Sequence, residues 1–222
     1  AYATRLYARI SPGKLELRNK PLFKNSVDLS KISAIITIFF CHAWCFMEDS
    51  LKPALYVVAT PIGNLEDITL RALRILKSAD YIAAEDTRHS RILLDHYGIQ
   101  SRLFSLHDHN ERNRRVAISE FILSGKSVAL ISDAGTPLIS DPGYHVAAYC
   151  REQGILVIPV PGPSAVISAL SASGLPTDRF FFGGFLPVKS KALREELEHL
   201  RLVTATSVYY ESPRRILDTL AA

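Results

Sequence analysis

From Ala54 to Gly174 the chain alternates short apolar runs with longer segments of helical spacing, and this alternation constrains the fold most strongly. The first run (ALYVVAT) is apolar throughout, which is typical of a strand covered on both faces. The alternation predicts strands over 54–60, 80–86, 101–106, 126–131 and 155–160, and helices over 69–79, 87–98, 110–125, 144–154 and 163–174. Strands that alternate with helices of this length form a parallel sheet. We therefore predict an α/β fold with a parallel five-stranded sheet covered by helices.

The alternation breaks at 175–179 (LPTDR), where a second predicted domain begins. Its pattern predicts a strand over 180–185, a helix over 189–201, a strand over 204–211 and the beginning of a helix in 212–222. Two strands and a helix are too few to bury a core of their own. We expect 54–174 to form an N-terminal α/β domain, and 175–222 to be the start of a second α/β domain that is truncated here or leans on the first.

Residues 1–53 differ from the rest of the chain and are expected to lie outside both domains. Residues 1–46 hold seven Lys or Arg and two acidic residues (net +5), whereas 47–222 hold nineteen and twenty (net −1). The net charge of the whole chain is therefore no sign that the folded part binds a polyanion. Met47 is the only methionine, so we expect it to be the natural first residue, preceded by upstream or artificially added sequence. The alternative is a signal or anchor segment, although the apolar run 32–46 is shorter than the roughly 20 residues of a membrane span.

Cysteine usage indicates a cytoplasmic protein. Cys41 and Cys45 lie in the N-terminal segment, which leaves Cys150 as the lone cysteine of the remaining chain. We expect Cys150 to be a small buried residue on a helix. A lone thiol without a disulfide framework is typical of the cytosol.

Five polar or turn-forming loops follow the five predicted strands, namely 60–68, 85–90, 107–111, 132–143 and 161–165. In open parallel sheets, ligands bind beyond the carboxyl ends of the strands, where such loops converge. The loop SDAGTPLISDPG takes twelve residues, whereas about 2–6 are usual for such a connection. This edge of the sheet is therefore the predicted ligand site.

Common nucleotide-binding motifs do not occur in the sequence. There is no GxxxxGK[ST], which excludes a P-loop, and no GxGxxG, which excludes the dinucleotide fingerprint and the Gly-rich first turn of the common methyltransferase fold. SDAGT is similar to the DxDGT strand end of phosphatases that form an aspartyl-phosphate. Ala134 stands where that chemistry requires a second carboxylate, so the similarity fails.

One polar cluster has the residue types of a metal site. His107, Asp108, His109 and Glu111 carry possible ligands, but alternate residues of an extended segment point to opposite faces. Helix capping and surface polarity are therefore favoured, and no metal site is predicted.

Other charged residues also allow two interpretations. Glu85, Asp86 and Arg88 fit a catalytic carboxylate with an orienting partner, or a helix N-terminus that favours acidic residues. Further basic residues either contact phosphates or form solvated helix faces, and the solvated face is the default: Arg112, Arg114, Arg115, Lys189 and Lys191.

Six segments in order resemble motifs of the ribosomal RNA small subunit methyltransferase I family, which belongs to the tetrapyrrole methylase superfamily (class III methyltransferases). They are TPIGNLEDIT, AEDTR, SDAGTPLISDPG, PGPSA, FFFGGFLP and YYESPRR. The resemblance runs from about Leu55 to the last residue, and members of this family continue beyond a position equivalent to 222. Residues 1–54 have no counterpart in it.

The resemblance implies S-adenosylmethionine as methyl donor, held between two domains, and 2′-O-methylation of a cytidine ribose in the decoding region of 16S ribosomal RNA. The motif positions that would hold the donor are Pro61, Gly63, Ala134, Gly135, Thr136, Pro137, Ser164 and Ala165. Small residues let a backbone approach a ligand closely, and Ser164 at a helix N-terminus offers donors to a carboxylate. Gly135 also fits a second interpretation, a turn that needs a positive φ.

Methyl transfer to a ribose hydroxyl needs alignment and deprotonation. Glu85 and Lys189 are the candidate bases, and Arg88 is the candidate to orient the substrate. The resemblance implies 16S ribosomal RNA or the small ribosomal subunit as partner, a homodimer, and no membrane association. Two alternatives stay open. One is a tetrapyrrole C-methyltransferase, which TPIGN in place of a Gly-rich first loop disfavours. The other is a truncated ligand-binding fragment without catalysis.

Overall fold

The computed structural model describes Ile10–Ser11, Lys14–Leu15, 51–107 and 110–222. The chain divides into two compact units, Ala1–Phe46 and Met47–Ala222. In the first unit, β1 (Ile10–Ser11) and β2 (Lys14–Leu15) form an antiparallel pair. The expectations for residues 1–53 lie almost entirely outside the described residues.

A sheet of five parallel strands organises the second unit. The strands are β3 (Leu55–Val58), β4 (Tyr81–Ala84), β5 (Arg102–Ser105), β6 (Val128–Ile131) and β7 (Val157–Val160). They stand in the order β5-β4-β6-β3-β7, with Leu55 of β3 beside Val128 on one side and Val157 on the other. Each strand lies within its predicted range. The predicted parallel α/β sheet is confirmed.

Five helices connect or follow these strands: α1 (Leu70–Ser78), α2 (Thr87–His96), α3 (Glu111–Leu123), α4 (Tyr144–Glu152) and α5 (Ala165–Ala172). Local chemistry explains where two of them begin. The Thr69 hydroxyl accepts a hydrogen bond from the Ala72 N–H (3.1 Å), and the Asp86 carboxylate accepts one from the Arg88 N–H (2.8 Å). Both are side-chain N-caps, which satisfy an N–H group that the helix itself leaves unpaired.

Two apolar layers cover the two faces of the sheet. One contains Tyr56, Val58 and Ile82 with side chains of α1 and α2, such as Leu76 and Leu94. The other contains strand residues with side chains of α3 and α4, namely Leu55, Ala83, Val128, Leu130, Ile118, Ile122, Val146 and Cys150. Successive residues of a strand point to opposite faces, so the apolar strands serve both layers. As predicted, Cys150 is a buried residue on a helix.

The C-terminal part of the second unit consists of β8 (Phe180–Phe185), α6 (Ser190–Leu200), β9 (Thr206–Tyr210) and α7 (Ile216–Leu220). β8 and β9 pair in parallel and form a separate two-stranded sheet. Between 175 and 222 the buried side chains are Leu186, Leu193 and Thr219. This part therefore has little core of its own. Within the described stretches, every helix falls short of the length and apolar character that crossing a bilayer requires.

Candidate functional site

Hydrogen bonds tie together the loops that follow β6, β3 and β7, the three adjacent strands at one end of the sheet. The backbones of Thr60 and Gly135 exchange two hydrogen bonds of 2.9 and 3.0 Å. The Thr60 hydroxyl donates to the Ser132 carbonyl at 3.1 Å, and the Thr136 hydroxyl donates to the Pro163 carbonyl at 3.1 Å. Three of the five predicted ligand loops therefore form one connected surface at the carboxyl edge of the sheet.

The long loop 132–143 carries backbone strain. Leu138 and Ser140 have φ values of 72° and 63°, in the left-handed region that residues with a side chain rarely adopt. Such strained conformations persist only where surrounding contacts enforce them, and they concentrate at binding and catalytic sites. The conformation of this loop agrees with its predicted role in ligand binding.

Glu111 fixes the end of this loop from a neighbouring helix. Its side chain is 3% exposed, and one carboxylate oxygen accepts hydrogen bonds from the N–H groups of Gly143 (3.1 Å), His145 (2.6 Å) and Val146 (3.2 Å). These N–H groups form the N-terminus of α4, where a carboxylate also interacts favourably with the helix dipole. Glu111 thus acts as a cap, the interpretation favoured over a metal ligand.

Of the other members of the predicted polar cluster, the structure describes His107. His107 Nε2 lies 3.0 Å from Asn110 Nδ2, and the Asn110 side-chain oxygen accepts a hydrogen bond from the His107 N–H. Asp108 and His109 lie outside the described residues. Within 51–107 and 110–222, there is no group of three or more His, Cys, Asp or Glu residues placed to hold a metal ion.

A cavity of about 350 Å³ opens between the loops and the β8–β9 sheet. Four predicted donor residues lie in its wall: Ala134, Thr136, Ser164 and Ala165. Pockets that bind small molecules and cofactors have volumes of roughly 300–1,000 Å³. The cavity is therefore large enough for a small organic cofactor, and small side chains line the loop side of it.

Carboxylates dominate the charge of the cavity. Glu85, Asp133 and Asp141 line it, and no Lys or Arg is among the described lining residues. The Asp133 carboxylate also accepts a hydrogen bond from the Asp86 N–H at 3.2 Å. Clustered acidic groups in a concave wall create a negative potential that favours a cationic ligand.

Two aromatic residues close the opposite side of the cavity, Phe185 at the end of β8 and Tyr210 at the end of β9. Their rings lie 5.3 Å apart between centroids. Burial raises the pKa of the Tyr210 hydroxyl, and the negative charge of Asp141 raises it further to a smaller extent. Tyr210 is therefore protonated at neutral pH, as an ordinary tyrosine is, and stays so at more alkaline pH, where it can still donate a hydrogen bond.

The other predicted donor residues occupy different places. Pro61 and Gly63 line a second, smaller cavity of about 190 Å³ beside α2. Gly135 and Pro137 are buried within the long loop and are not among the lining residues of the larger cavity. The structure thus brings four of the eight predicted residues to the larger cavity.

Two glycines in these loops are required by geometry. Gly135 has φ +85°, and a Cβ there would lie 3.4 Å from Ile62 Cγ2, so the turn interpretation accounts for this glycine directly. A Cβ on Gly162 would come within 2.9 Å of Ala59 Cβ, a separation that real Cβ atoms do not show. Gly162 therefore permits the loop after β7 to pass close to the end of β3.

The three predicted catalytic residues do not lie together. Glu85 follows β4 and lines the larger cavity. Arg88 is 91% exposed and forms a salt bridge with Asp86 (Nη2 to Oδ2, 3.0 Å). Hydrogen bonds from the Arg88 side chain and then its backbone N–H lower the pKa of Asp86 to about 2. Lys189 is exposed at the start of α6, outside the lining of the larger cavity. The catalytic roles of all three stay predictions.

Sequence reasoning missed several residues of the cavity. Asp133 and Asp141 stand inside the quoted motif SDAGTPLISDPG, so their position after a buried strand was an available signal. Phe185 and Tyr210 reach the cavity only because β8 and β9 pack at the carboxyl edge of the larger sheet. Both residues stand inside quoted motifs, FFFGGFLP and YYESPRR, but neither motif shows which element its residues contact.

The fold agrees with comparisons against known proteins. Residues 54–222 match the family described as Tetrapyrrole (Corrin/Porphyrin) Methylases. The chain belongs to this family.

Close curated relatives carry a more specific name, "Ribosomal RNA small subunit methyltransferase I". One from Vibrio cholerae is 58% identical over 168 residues, which cover 76% of this chain and 58% of the relative. One from Escherichia coli O157:H7 is 55% identical over 172 residues, which cover 78% of this chain and 60% of the relative. The chain thus spans about 60% of the length of the curated relatives that it matches.

Solved structures confirm the fold. A crystal structure of diphthine synthase superposes with a TM-score of 0.58 at 16% identity, covering 72% of this chain and 64% of that one. A conserved hypothetical protein from Aeropyrum pernix K1 gives a TM-score of 0.53 at 24% identity, covering 72% and 59%. At these identities the likeness concerns the fold alone.

Proposed function

We propose that this chain carries the donor site of an S-adenosylmethionine-dependent 2′-O-methyltransferase that acts on a cytidine ribose in the decoding region of 16S ribosomal RNA. The observation that carries the proposal is the acidic cavity at the carboxyl edge of the sheet, with Ala134, Thr136, Ser164 and Ala165 in its wall. The name shared by relatives at 55% and 58% identity supplies the substrate class.

The residues of the cavity fit the proposed donor. S-adenosylmethionine supplies an electrophilic methyl group on a positively charged sulfonium centre. Glu85, Asp133 and Asp141 provide the negative potential that favours a cation. Ser164 is the N-cap of α5 and makes no capping hydrogen bond with its side chain. The N–H groups of this helix end are suited to the carboxylate of an amino-acid moiety.

Within this proposal, Glu85 is the preferred general base. Its carboxylate lies in the cavity wall, where it would accept the proton of the ribose 2′-hydroxyl; the donor would supply the methyl group to that oxygen and leave as the neutral thioether S-adenosylhomocysteine. Tyr210, whose hydroxyl is protonated at neutral pH and lies in the cavity wall, would donate a hydrogen bond to the ribose or the donor. Lys189 and Arg88 remain candidates only if the substrate reaches beyond the described cavity wall. Alignment of the reacting atoms can itself lower the barrier by several kcal/mol.

Mass spectrometry of digested 16S ribosomal RNA tests the proposal. RNA is incubated with S-adenosylmethionine and either the 222-residue chain or a chain extended with the C-terminal part of a relative, as naked RNA and as small ribosomal subunits. We expect one cytidine to gain 14 mass units on its ribose, about the mass of one CH₂ group, with the extended chain more active. Glu85→Gln should lower the rate by about 10²-fold or more.

The alternative functions give different results. Methylation of a tetrapyrrole and not of RNA would assign the chain to the small-molecule branch of its family. Donor binding without methylation by either form of the chain would support a ligand-binding fragment. The cytoplasmic location and the homodimer are proposals as well, and size-exclusion chromatography with light scattering tests the dimer.

A further inference from the structure

Three arginines concentrate positive charge at the N-terminal end of α3. Arg112, Arg114 and Arg115, here termed the arginine cluster, all lie close to the first residue of this helix. Cations are unfavourable at a helix N-terminus because the helix dipole is positive there. Helix stability therefore does not explain this placement.

No carboxylate neutralises the arginine cluster among the residues that the structure describes. None of its members takes part in an ion pair there. The adjacent Glu111 is committed to three N–H groups of α4. Glu120 lies further along α3, and Glu152 is the last residue of α4. Arg112 and Arg114 are exposed and Arg115 is half-buried, so the positive charge of the cluster has no protein counter-ion in the described parts of the chain.

Aromatic rings orient two of these guanidinium groups. The Cζ atom of Arg114 lies 5.6 Å from the centroid of the Phe104 ring, and that of Arg115 lies 5.0 Å from the Tyr149 ring. The Nε atom of Arg115 is buried without an acceptor among the described residues. Stacking on a ring restrains a guanidinium without neutralising it. Arginines restrained in this way are suited to bind phosphate groups.

We infer that the arginine cluster binds the phosphate backbone of the RNA substrate, an inference that rests on the proposed function and locates its RNA contact. The cavity wall itself repels phosphates, because it holds three carboxylates and no described Lys or Arg. α3 begins after the carboxyl end of β5, at the same edge of the sheet as the cavity. The cluster therefore holds RNA beside the cavity while the target ribose reaches into it.

The test compares two triple variants of the 222-residue chain in filter-binding assays with a 16S ribosomal RNA transcript at several salt concentrations. The first variant carries Arg112→Gln, Arg114→Gln and Arg115→Gln. The matched control removes three cations from α6 and its end, namely Lys191→Gln, Arg194→Gln and Arg201→Gln. Lys191 and Arg201 of the control already pair with Glu195 (3.9 Å) and Glu198 (3.2 Å).

We expect the cluster variant to bind RNA at least tenfold more weakly in low salt. Its plot of log affinity against log salt should be less steep by about 2–3, because each lost phosphate contact removes about 0.7–0.9 from the slope. The control should change neither value appreciably. The thermal midpoint of the cluster variant should change little, because the loss of two ring contacts opposes the relief of the unfavourable helix dipole.

Each other outcome overturns a defined statement. Equal RNA affinity and slope in the cluster variant and the wild type would refute the inference while leaving the proposed function intact. If both triple variants lost RNA affinity equally, binding would depend on the net charge of the chain and not on the arginine cluster, and the inference would also be refuted. If the wild-type chain binds S-adenosylmethionine but neither this transcript nor small ribosomal subunits, the proposed RNA substrate and the inference both fail.

Discussion

The acidic cavity and the arginine cluster lie at the same edge of the same sheet but have opposite chemistry. The cavity gathers Glu85, Asp133 and Asp141 on loops from two strands, so its charge arises from tertiary structure. The arginine cluster lies on one helix, and its charge is already apparent in the sequence NERNRR. The difference teaches that acidic and basic surfaces can be kept apart at one edge of a sheet, one by contacts between loops and the other by local sequence.

Glu111 is the structural link between the two regions, so its removal should have the largest effect. Glu111→Ala leaves three N–H groups at the start of α4 without their acceptor, and we expect a loss of about 2–4 kcal/mol in the free energy of unfolding. Because the long loop ends at α4, donor affinity should fall as well. Urea denaturation and calorimetric titration measure the two effects.

Glu120→Ala is the control for this prediction, since Glu120 is exposed on the same helix. It should alter stability by no more than about 0.5 kcal/mol. If both variants were equally stable, Glu111 would not secure the loop, and the link between the regions would be lost.

Alanine substitutions at two glycines distinguish the cost of backbone strain from an effect on the cavity. Gly135 and Gly125 have φ values of +85° and +90°, but a Cβ on Gly125 meets no atom within 4 Å, whereas one on Gly135 meets Ile62. Alanine at either position should lower stability by about 1–2 kcal/mol. Only Gly135→Ala should weaken donor binding, by about threefold or more, since Ile62 lines the cavity. Equal donor affinities in the two variants would remove Gly135 from the account of the site.

The smallest expected effect is a change in stability with pH that depends on Cys150. This residue lies in the apolar layer that α3 and α4 form against the sheet. Burial raises the pKa of its thiol from 9.0 to about 11, so folding favours the protonated form. The resulting stability is complete below pH 9 and is lost as the pH rises through 11. By pH 9.5 the wild type should have lost about 0.8 kcal/mol through this group.

Cys150→Ala provides the comparison, because it lacks the thiol but keeps every other titrating group. Urea denaturation of both proteins between pH 7 and 9.5 gives the difference. A constant difference across this range would mean that the thiol is solvated and that α3 and α4 pack less tightly than described.

The sequence predicted the fold well because the fold depends on periodicity. Each of the five strands lies within its predicted range, since continuous apolar runs such as VALI leave few other options. Strand order was not predicted, because it depends on which helices cross which face. The sequence also predicted that polar loops converge at the carboxyl edge, because loop length and composition are local properties, and a cavity lies there.

The detailed geometry of the site could not be predicted in the same way. Glu111 was assigned to a polar cluster, yet its carboxylate caps a helix more than thirty residues away along the chain. Gly135 fits two roles in the sequence, and the φ of 85° that the turn requires is visible only in the structure. Phe185 and Tyr210 enter the cavity through long-range packing. These features depend on contacts between elements that are distant in sequence.

Paired titrations with S-adenosylmethionine and with RNA test the separation of the two regions most directly. Ala165→Phe fills the cavity, and Ala169→Phe is its control, because Ala169 is an exposed residue of the same helix that does not line the cavity. The proteins to compare are these two, the cluster variant and the wild type. We predict that Ala165→Phe loses at least tenfold in donor affinity, about 1.4 kcal/mol, and keeps its RNA affinity, whereas the cluster variant shows the reverse. Loss of donor binding in the cluster variant, or unchanged donor binding in folded Ala165→Phe, would contradict the account.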